Sequence, residues 1–218
     1  FKSYYKELHD TYSLIRDSKK KKVKLNVRIV KESKLLTCPY CNRDYINSRG
    51  DDAAGAQLDH FYCRSKFPVF SLCLYNLIPT CGNCNHIKGD NDNEMVSPFD
   101  NEVNFIEDLK FSYELNENGI ELIINANGAL ENNISILKLK EAYLIHDEDV
   151  IELIDKAKTY CKTQKEEIIA MFEEKHIDLT DIEIKKLIFG RNIGPNYFGR
   201  KPLSKLTYDI LKELKIEI

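Results

Sequence analysis

Over residues 3–17, Tyr5, Leu8, Tyr12 and Ile15 recur at three- and four-residue spacing, which predicts an amphipathic helix with one apolar stripe. Residues 24–30 alternate apolar and polar side chains, and that period of two predicts a short strand. Two further runs, 111–115 and 120–124, flank Asn116-Glu117-Asn118-Gly119 and predict a β-hairpin turned at Asn-Gly. From about 137 to 176 the period lengthens to that of helices. Leu139, Ala142, Tyr143, Val150, Leu153, Ile154, Ile168, Ile169 and Phe172 fall on core positions, with an interruption at His146-Asp147-Glu148-Asp149. A break over 190–195 separates a short helix, 181–189, from a last one, 203–215. No internal repeat is present. The expected fold class for this mixture of helices and short strands is α+β. The chain divides into a helix and basic segment (1–34), a stretch holding every candidate site (35–100), and a mostly helical region with a hairpin near 111–125 (101–218).

Composition adds limits. The chain has 218 residues, 43% hydrophobic and 31% charged, the balance of an ordinary globular protein. No stretch approaches the ~18 uninterrupted apolar residues of a membrane-spanning helix. The first residues, FKSYYKELHD, put charges where a secretory signal has its apolar run. The chain opens on Phe, so its natural start is expected to lie further upstream. A soluble, cytoplasmic protein without a membrane partner is expected.

Net charge is -3, which on its face argues against a nucleic-acid binder. Its distribution says otherwise: residues 1–100 carry +4, 101–183 carry -12 and 184–218 carry +5. Nine basic residues lie between Arg16 and Lys34, against Asp17 and Glu32. A basic front and tail around an acidic middle suit local phosphate binding, although a solvated lysine loop accounts for the Lys19–Lys22 run equally well. The acidic middle would repel a duplex and is expected to face solvent or a protein partner.

The seven cysteines are 38, 41, 63, 73, 81, 84 and 161, an odd number that cannot all pair. Four of them form Cys38-Pro39-Tyr40-Cys41 and Cys81-Gly82-Asn83-Cys84. A C-x2-C turn aims two thiolates at one point, and two such knuckles complete a closed, structural four-cysteine zinc site. Cys63, Cys73 and Cys161 are expected to be packed free thiols. Between the knuckles lies Asp59-His60; Asn76 precedes the apolar run into the second knuckle, Asn85 follows Cys84, and Lys88-Gly89 comes next.

This segment resembles the HNH endonuclease family over about residues 36–100. The resemblance implies a ββα-metal core braced by the two zinc knuckles, with helical extensions on both sides and the small hairpin. On that alignment His60 matches the general base, Asp59 a metal ligand, Asn76 the central Asn and Asn85 the final position, an HNN variant. His86 takes the last place if the alignment moves by one; otherwise it is an exposed helix residue. The resemblance implies Mg2+ or Mn2+ held by Asp59 and Asn85, structural Zn2+ on Cys38, Cys41, Cys81 and Cys84, and hydrolysis of DNA to 5′-phosphate and 3′-hydroxyl ends. Asn76 is expected to pin a loop or orient His60. Asn85 at a helix start is expected to add backbone N–H groups near phosphate. Arg64, Lys66 and Lys88 are candidate phosphate contacts.

The expected function is thus a metal-dependent DNA endonuclease in phage defence or restriction. A protein partner is expected, and an ATPase subunit fits because some defence systems pair one with an HNH subunit. Two alternatives remain open: a catalytically inactive zinc-knuckle binding or scaffold module, and the same chemistry on RNA. No helix or ribbon for direct base readout stands out, so sequence specificity is left to a partner.

Overall fold

A computed structural model describes residues 15–16, 22–91, 94–117, 119–159 and 162–216. Its elements are β1 (Ile15–Arg16), β2 (Lys22–Val23), α1 (Leu25–Ser33), β3 (Gln57–His60), β4 (Leu77–Thr80), α2 (Gly82–Lys88), α3 (Phe105–Asp108), β5 (Leu109–Asn116), β6 (Gly119–Ala126), α4 (Leu130–Ile136), α5 (Leu139–Tyr143), α6 (Asp147–Thr159), α7 (Lys162–Glu173), α8 (Asp181–Phe189) and α9 (Ser204–Glu213). Among the described residues, helices and three small antiparallel sheets make this an α+β protein. Among the described residues no helix is long and apolar enough to cross a membrane.

Two expectations near the start are corrected. The helix over 3–17 mostly lies outside the described residues, but its last turn is replaced by a strand: Ile15 pairs with Val23 and Arg16 with Lys22. The strand over 24–30 is instead the helix α1. Its apolar residues fit either period, and burial of Val27 and Val30, three positions apart, selects the helical one. Lys34 ends α1 in the left-handed conformation, its N–H bonded to the Lys31 carbonyl. Arg28 is paired with Glu32 one turn on, and Lys31 with Asp51.

The chain forms two compact units. The first joins residues 1–103 with 127–139 and 199–202. Its centre is β3 against β4 in the register Gln57–Thr80 to His60–Leu77, followed at once by α2. All four residues of β4 are buried, and α1 packs on it. Val27, Ile46, Ile78, Leu130 and Leu137 lie in this unit's core. Asn133 of α4 binds the Val96 N–H and carbonyl, each at 2.8 Å, tying α4 to the chain after α2. Gly55 passes so close to Asn47 that a Cβ would sit 1.7 Å from its carbonyl oxygen, so only glycine fits. The segment 199–202 lies beside the first knuckle. The Gly199 carbonyl accepts from the Leu36 and Thr37 N–H groups at 2.8 and 3.2 Å, and the Lys201 carbonyl accepts from Asn42 Nδ2 at 3.4 Å.

The second unit holds 104–126, 140–198 and 203–218. Its hairpin is β5 with β6, where Asn116 pairs with Gly119 across the turn. α9 packs on β5 and on α6, which packs on β6. The rings of Phe111 and Tyr143 meet at 4.7 Å. Asp209 accepts from the Phe111 N–H at 2.9 Å and pairs with Lys205, one turn away and equally buried. The interruption near 146 is a short 3-10 turn, Leu144–His146, after which α6 resumes at Asp147. α8 starts with a capping box between Thr180 and Glu183 and ends at Gly190 in the left-handed conformation.

Candidate functional site: a four-cysteine centre beside a His60 groove

Cys38, Cys41, Cys81 and Cys84 converge. Their sulfurs lie within 4.8 Å of one another and all four residues are buried. The first knuckle closes where the Asn42 N–H bonds the Cys38 carbonyl at 2.8 Å and Asn42 turns left-handed. The second is the mouth of α2: Cys81 caps it, its sulfur accepting from the Cys84 N–H at 3.4 Å. The Cys41 and Cys81 sulfurs are 3.9 Å apart. A tetrahedron of ~2.3 Å zinc–sulfur bonds has edges of about 3.8 Å, so this donor set fits a zinc ion. Hydrogen bonding from Cys41 holds the Cys38 thiol below its ordinary range. Bonds to Cys38 and the other two push Cys84 far above it. Four thiols this close shed their protons together only in favour of a cation.

The other candidate residues lie on β3, β4, α2 and the loop between the strands. Asp59 and His60 are neighbours on a strand, so their side chains take opposite faces. Asp59 points inward and is 3% exposed. Its Oδ2 accepts from the Tyr40 hydroxyl at 2.6 Å and its Oδ1 from Lys88 Nζ at 3.1 Å. Burial, and secondly the Asp59 charge, raise the Tyr40 pKa well above its ordinary value, which keeps this hydroxyl a donor. Lys88 is 2% exposed and also donates to the His60 carbonyl at 3.0 Å. It therefore sits inside the fold, away from the solvent face where a phosphate contact was expected. Arg64 and Lys66 are exposed.

His60 is half-buried, its Nε2 3.1 Å from the Ser71 carbonyl. A carbonyl can only accept, so Nε2 carries the proton in this contact and the lone pair of the neutral ring lies on Nδ1. Burial lowers the His60 pKa against the opposing pull of the Ser71 bond, and the lowered value favours the neutral ring. The Asn76 side chain binds the loop. Its Oδ1 accepts from the Tyr62 N–H at 2.7 Å, and its Nδ2 donates to the Tyr62 and Phe70 carbonyls at 3.2 and 3.0 Å. Asn85 Nδ2 donates to Gln57 Oε1 at 2.6 Å. α2 begins at Gly82, so Asn85 lies in its second turn and its backbone N–H already bonds the Cys81 carbonyl at 3.1 Å. That N–H is an internal helix donor: the helix starts three residues before Asn85, which corrects the expectation that it starts at Asn85.

Asp59, His60, Arg64, Asn85, His86 and Asp90 share a solvent-open groove of about 430 Å3. His86 and Asp90 are exposed on its rim. Cys63 is buried with its sulfur 3.5 Å from Ser65 Oγ, and Cys73 is exposed; both are free thiols, while Cys161 lies outside the described residues. Sequence reasoning missed Tyr40 and Gln57. Tyr40 lies inside the first knuckle, but nothing in the sequence ties it to a residue 19 positions away.

Comparison with protein-family models, curated proteins and solved structures finds no match to this chain. The class defined by fold and site together is therefore an α+β protein with a four-cysteine cluster fit for a metal ion.

Proposed function

We propose that this chain is an endonuclease of the HNH kind, hydrolysing DNA phosphodiester bonds with His60 as general base. The observation that carries the reading is the His60 ring, tied at Nε2 to Ser71, on the wall of a groove it shares with Asn85. The order of two antiparallel strands and a helix, with four cysteines at the helix mouth, agrees with that family's pattern.

In this reading a water in the groove gives its proton to His60 Nδ1 as it attacks the phosphorus. The Ser71 carbonyl fixes the ring's tautomer and steadies the imidazolium that forms. Arg64 lies at the same groove and suits a phosphate oxygen. Oxygen donors remain for a hard divalent cation: each Asp59 oxygen accepts one bond and retains a lone pair, and Asn85 bonds Gln57 through nitrogen, leaving its amide oxygen. Mg2+ or Mn2+ held by those two residues would supply charge neutralisation at the phosphate and the leaving oxygen. Zinc on the cysteines has a structural role. DNA as substrate, a protein partner and a defence context belong to the same proposal.

One observation favours a second reading, an inactive zinc-knuckle scaffold: the Lys88 ammonium already neutralises Asp59. Plasmid nicking with Mg2+ separates the two. A nuclease cuts, and His60→Ala slows it by about 100-fold or more. A scaffold leaves the plasmid intact, and equal cutting by wild type and His60→Ala removes His60 from the chemistry.

A further inference from the structure

The loop between β3 and β4 exposes apolar side chains where a folded chain ordinarily hides them. Tyr62, Phe67, Val69, Phe70, Leu72, Leu74 and Tyr75 all stand out, Val69 at 78% and Tyr75 at 86% exposure. Three of the rings form a cluster: Tyr62 lies 5.6 Å from Phe67 and 5.7 Å from Phe70, and those two are 6.5 Å apart. Interleaved with them are the exposed Arg64 and Lys66, and residues 61–75 contain no Asp or Glu. The loop is also held in place. Asn76 grips it at Tyr62 and Phe70, and Ser71 in its middle bonds the His60 ring. The rings therefore stand at a fixed position beside the candidate base.

We propose that this loop is a stacking surface for unpaired bases, so that the groove takes a strand with single-stranded or splayed nucleotides and not an intact duplex. The inference rests on the nuclease reading and names its substrate class. The chemistry is specific. A partner that meets aromatic rings interleaved with the cations Arg64 and Lys66 presents flat π faces and negative charge together, and nucleic acid has both. In an intact duplex each base face is covered by its neighbours. Only an unpaired base offers its face to Tyr62, Phe67 or Phe70 while its phosphate reaches Arg64 or Lys66.

Fluorescence anisotropy tests this on the full chain in Mg2+-free buffer, with a short labelled oligonucleotide alone and annealed to its complement. The single strand is expected to bind roughly tenfold tighter or more. Phe67→Leu, Phe70→Leu and Tyr75→Leu keep apolar bulk but remove the ring, and any ring that stacks a base should lose about 5- to 150-fold. Val69→Ser, at an exposed position without a ring, should bind as wild type does. Preference for the duplex, ring variants that all bind normally, or an equal loss in Val69→Ser overturns the proposal; the last result marks a general apolar docking face instead. The nuclease reading fails separately. Tight single-strand binding by a protein that cuts nothing removes the chemistry and keeps the stacking surface, whereas cutting of intact duplex without single-strand affinity does the reverse.

Discussion

Lys88 Nζ lies 3.1 Å from Asp59 Oδ1, and both side chains are withdrawn from water. The pair links the last turn of α2 to the end of β3, and Tyr40 of the first knuckle completes it through the other carboxylate oxygen. Knuckle, strand and helix are thus joined at one buried carboxylate.

Removing one partner of that pair leaves the other charge stranded. Lys88→Met is expected to cost about 3–5 kcal/mol, and Tyr40→Phe about 1–3 kcal/mol, in urea unfolding. A Lys88→Met protein as stable as wild type would show that Asp59 finds its cation elsewhere.

Purified protein should carry about one zinc per chain by elemental analysis. Cobalt exchanged into the site should show thiolate-to-metal charge-transfer absorption. Cys84→Ser is expected to lose most of the zinc and to melt at a lower temperature, because binding energy at such a site is folding energy. Cys73→Ser, at an exposed free thiol, should retain metal and melting point alike; zinc loss there would mean the cluster is wrongly assigned.

Asn76→Ala frees the loop it grips. The Tyr62 and Phe70 backbone groups lose their partners at about 1–3 kcal/mol for each group left unpaired. Limited proteolysis within 61–75 should accelerate roughly 5- to 30-fold for each 1–2 kcal/mol lost. Cleavage at the wild-type rate would mean that the loop is held by its rings alone.

The Lys205–Asp209 pair in the second unit carries a pH signature. Burial lowers the Lys205 pKa and raises that of Asp209, so ionising either side chain works against the fold. Lys205→Met is expected to cost about 3–5 kcal/mol at pH 7. For Asp209, a folded pKa above the ordinary value means that the protonated acid is the form the fold favours. That contribution is complete below the unfolded value of ~3.9 and fades as pH rises through the folded one. The deficit of Lys205→Met should therefore shrink as pH falls from 7 toward 4 in thermal melts. Replacing Lys205 by Met and Asp209 by Leu should recover part of the loss, short of wild type by about 1–3 kcal/mol for the Phe111 N–H left unpaired.

What the sequence revealed depended on how local the cause was. The two C-x2-C turns are short-range geometry, and their convergence followed from spacing alone. The hairpin at Asn116 and Gly119 and the helix α8, with Thr180 at one end and Gly190 at the other, were equally local. Residues 24–30 misled because Leu25, Val27, Ile29 and Val30 satisfy two periods at once; burial beneath β4 decides between them, and burial is long-range. Lys88 was unreadable for a related reason. A lysine four positions after Cys84 faces solvent or core according to the rotation of α2, and that rotation is fixed by the capping cysteine and the buried Asp59. Asn76 could be picked out as a residue, but its partners Tyr62 and Phe70 are set by the path of the loop.

The bond from Asn42 to the Lys201 carbonyl joins positions 159 residues apart, and the N–H groups of Leu36 and Thr37 meet Gly199 in the same place. On the ribosome these partners do not arrive together. At about 5–20 residues per second the first knuckle emerges roughly 8–30 s before the 199–202 turn that covers its flank. During that interval the thiols at 38 and 41 have only the second knuckle as a long-range partner. A metal ion on the four cysteines would hold the two knuckles together before that last contact can form, so zinc supply during translation would bear on how much of the chain reaches its folded form.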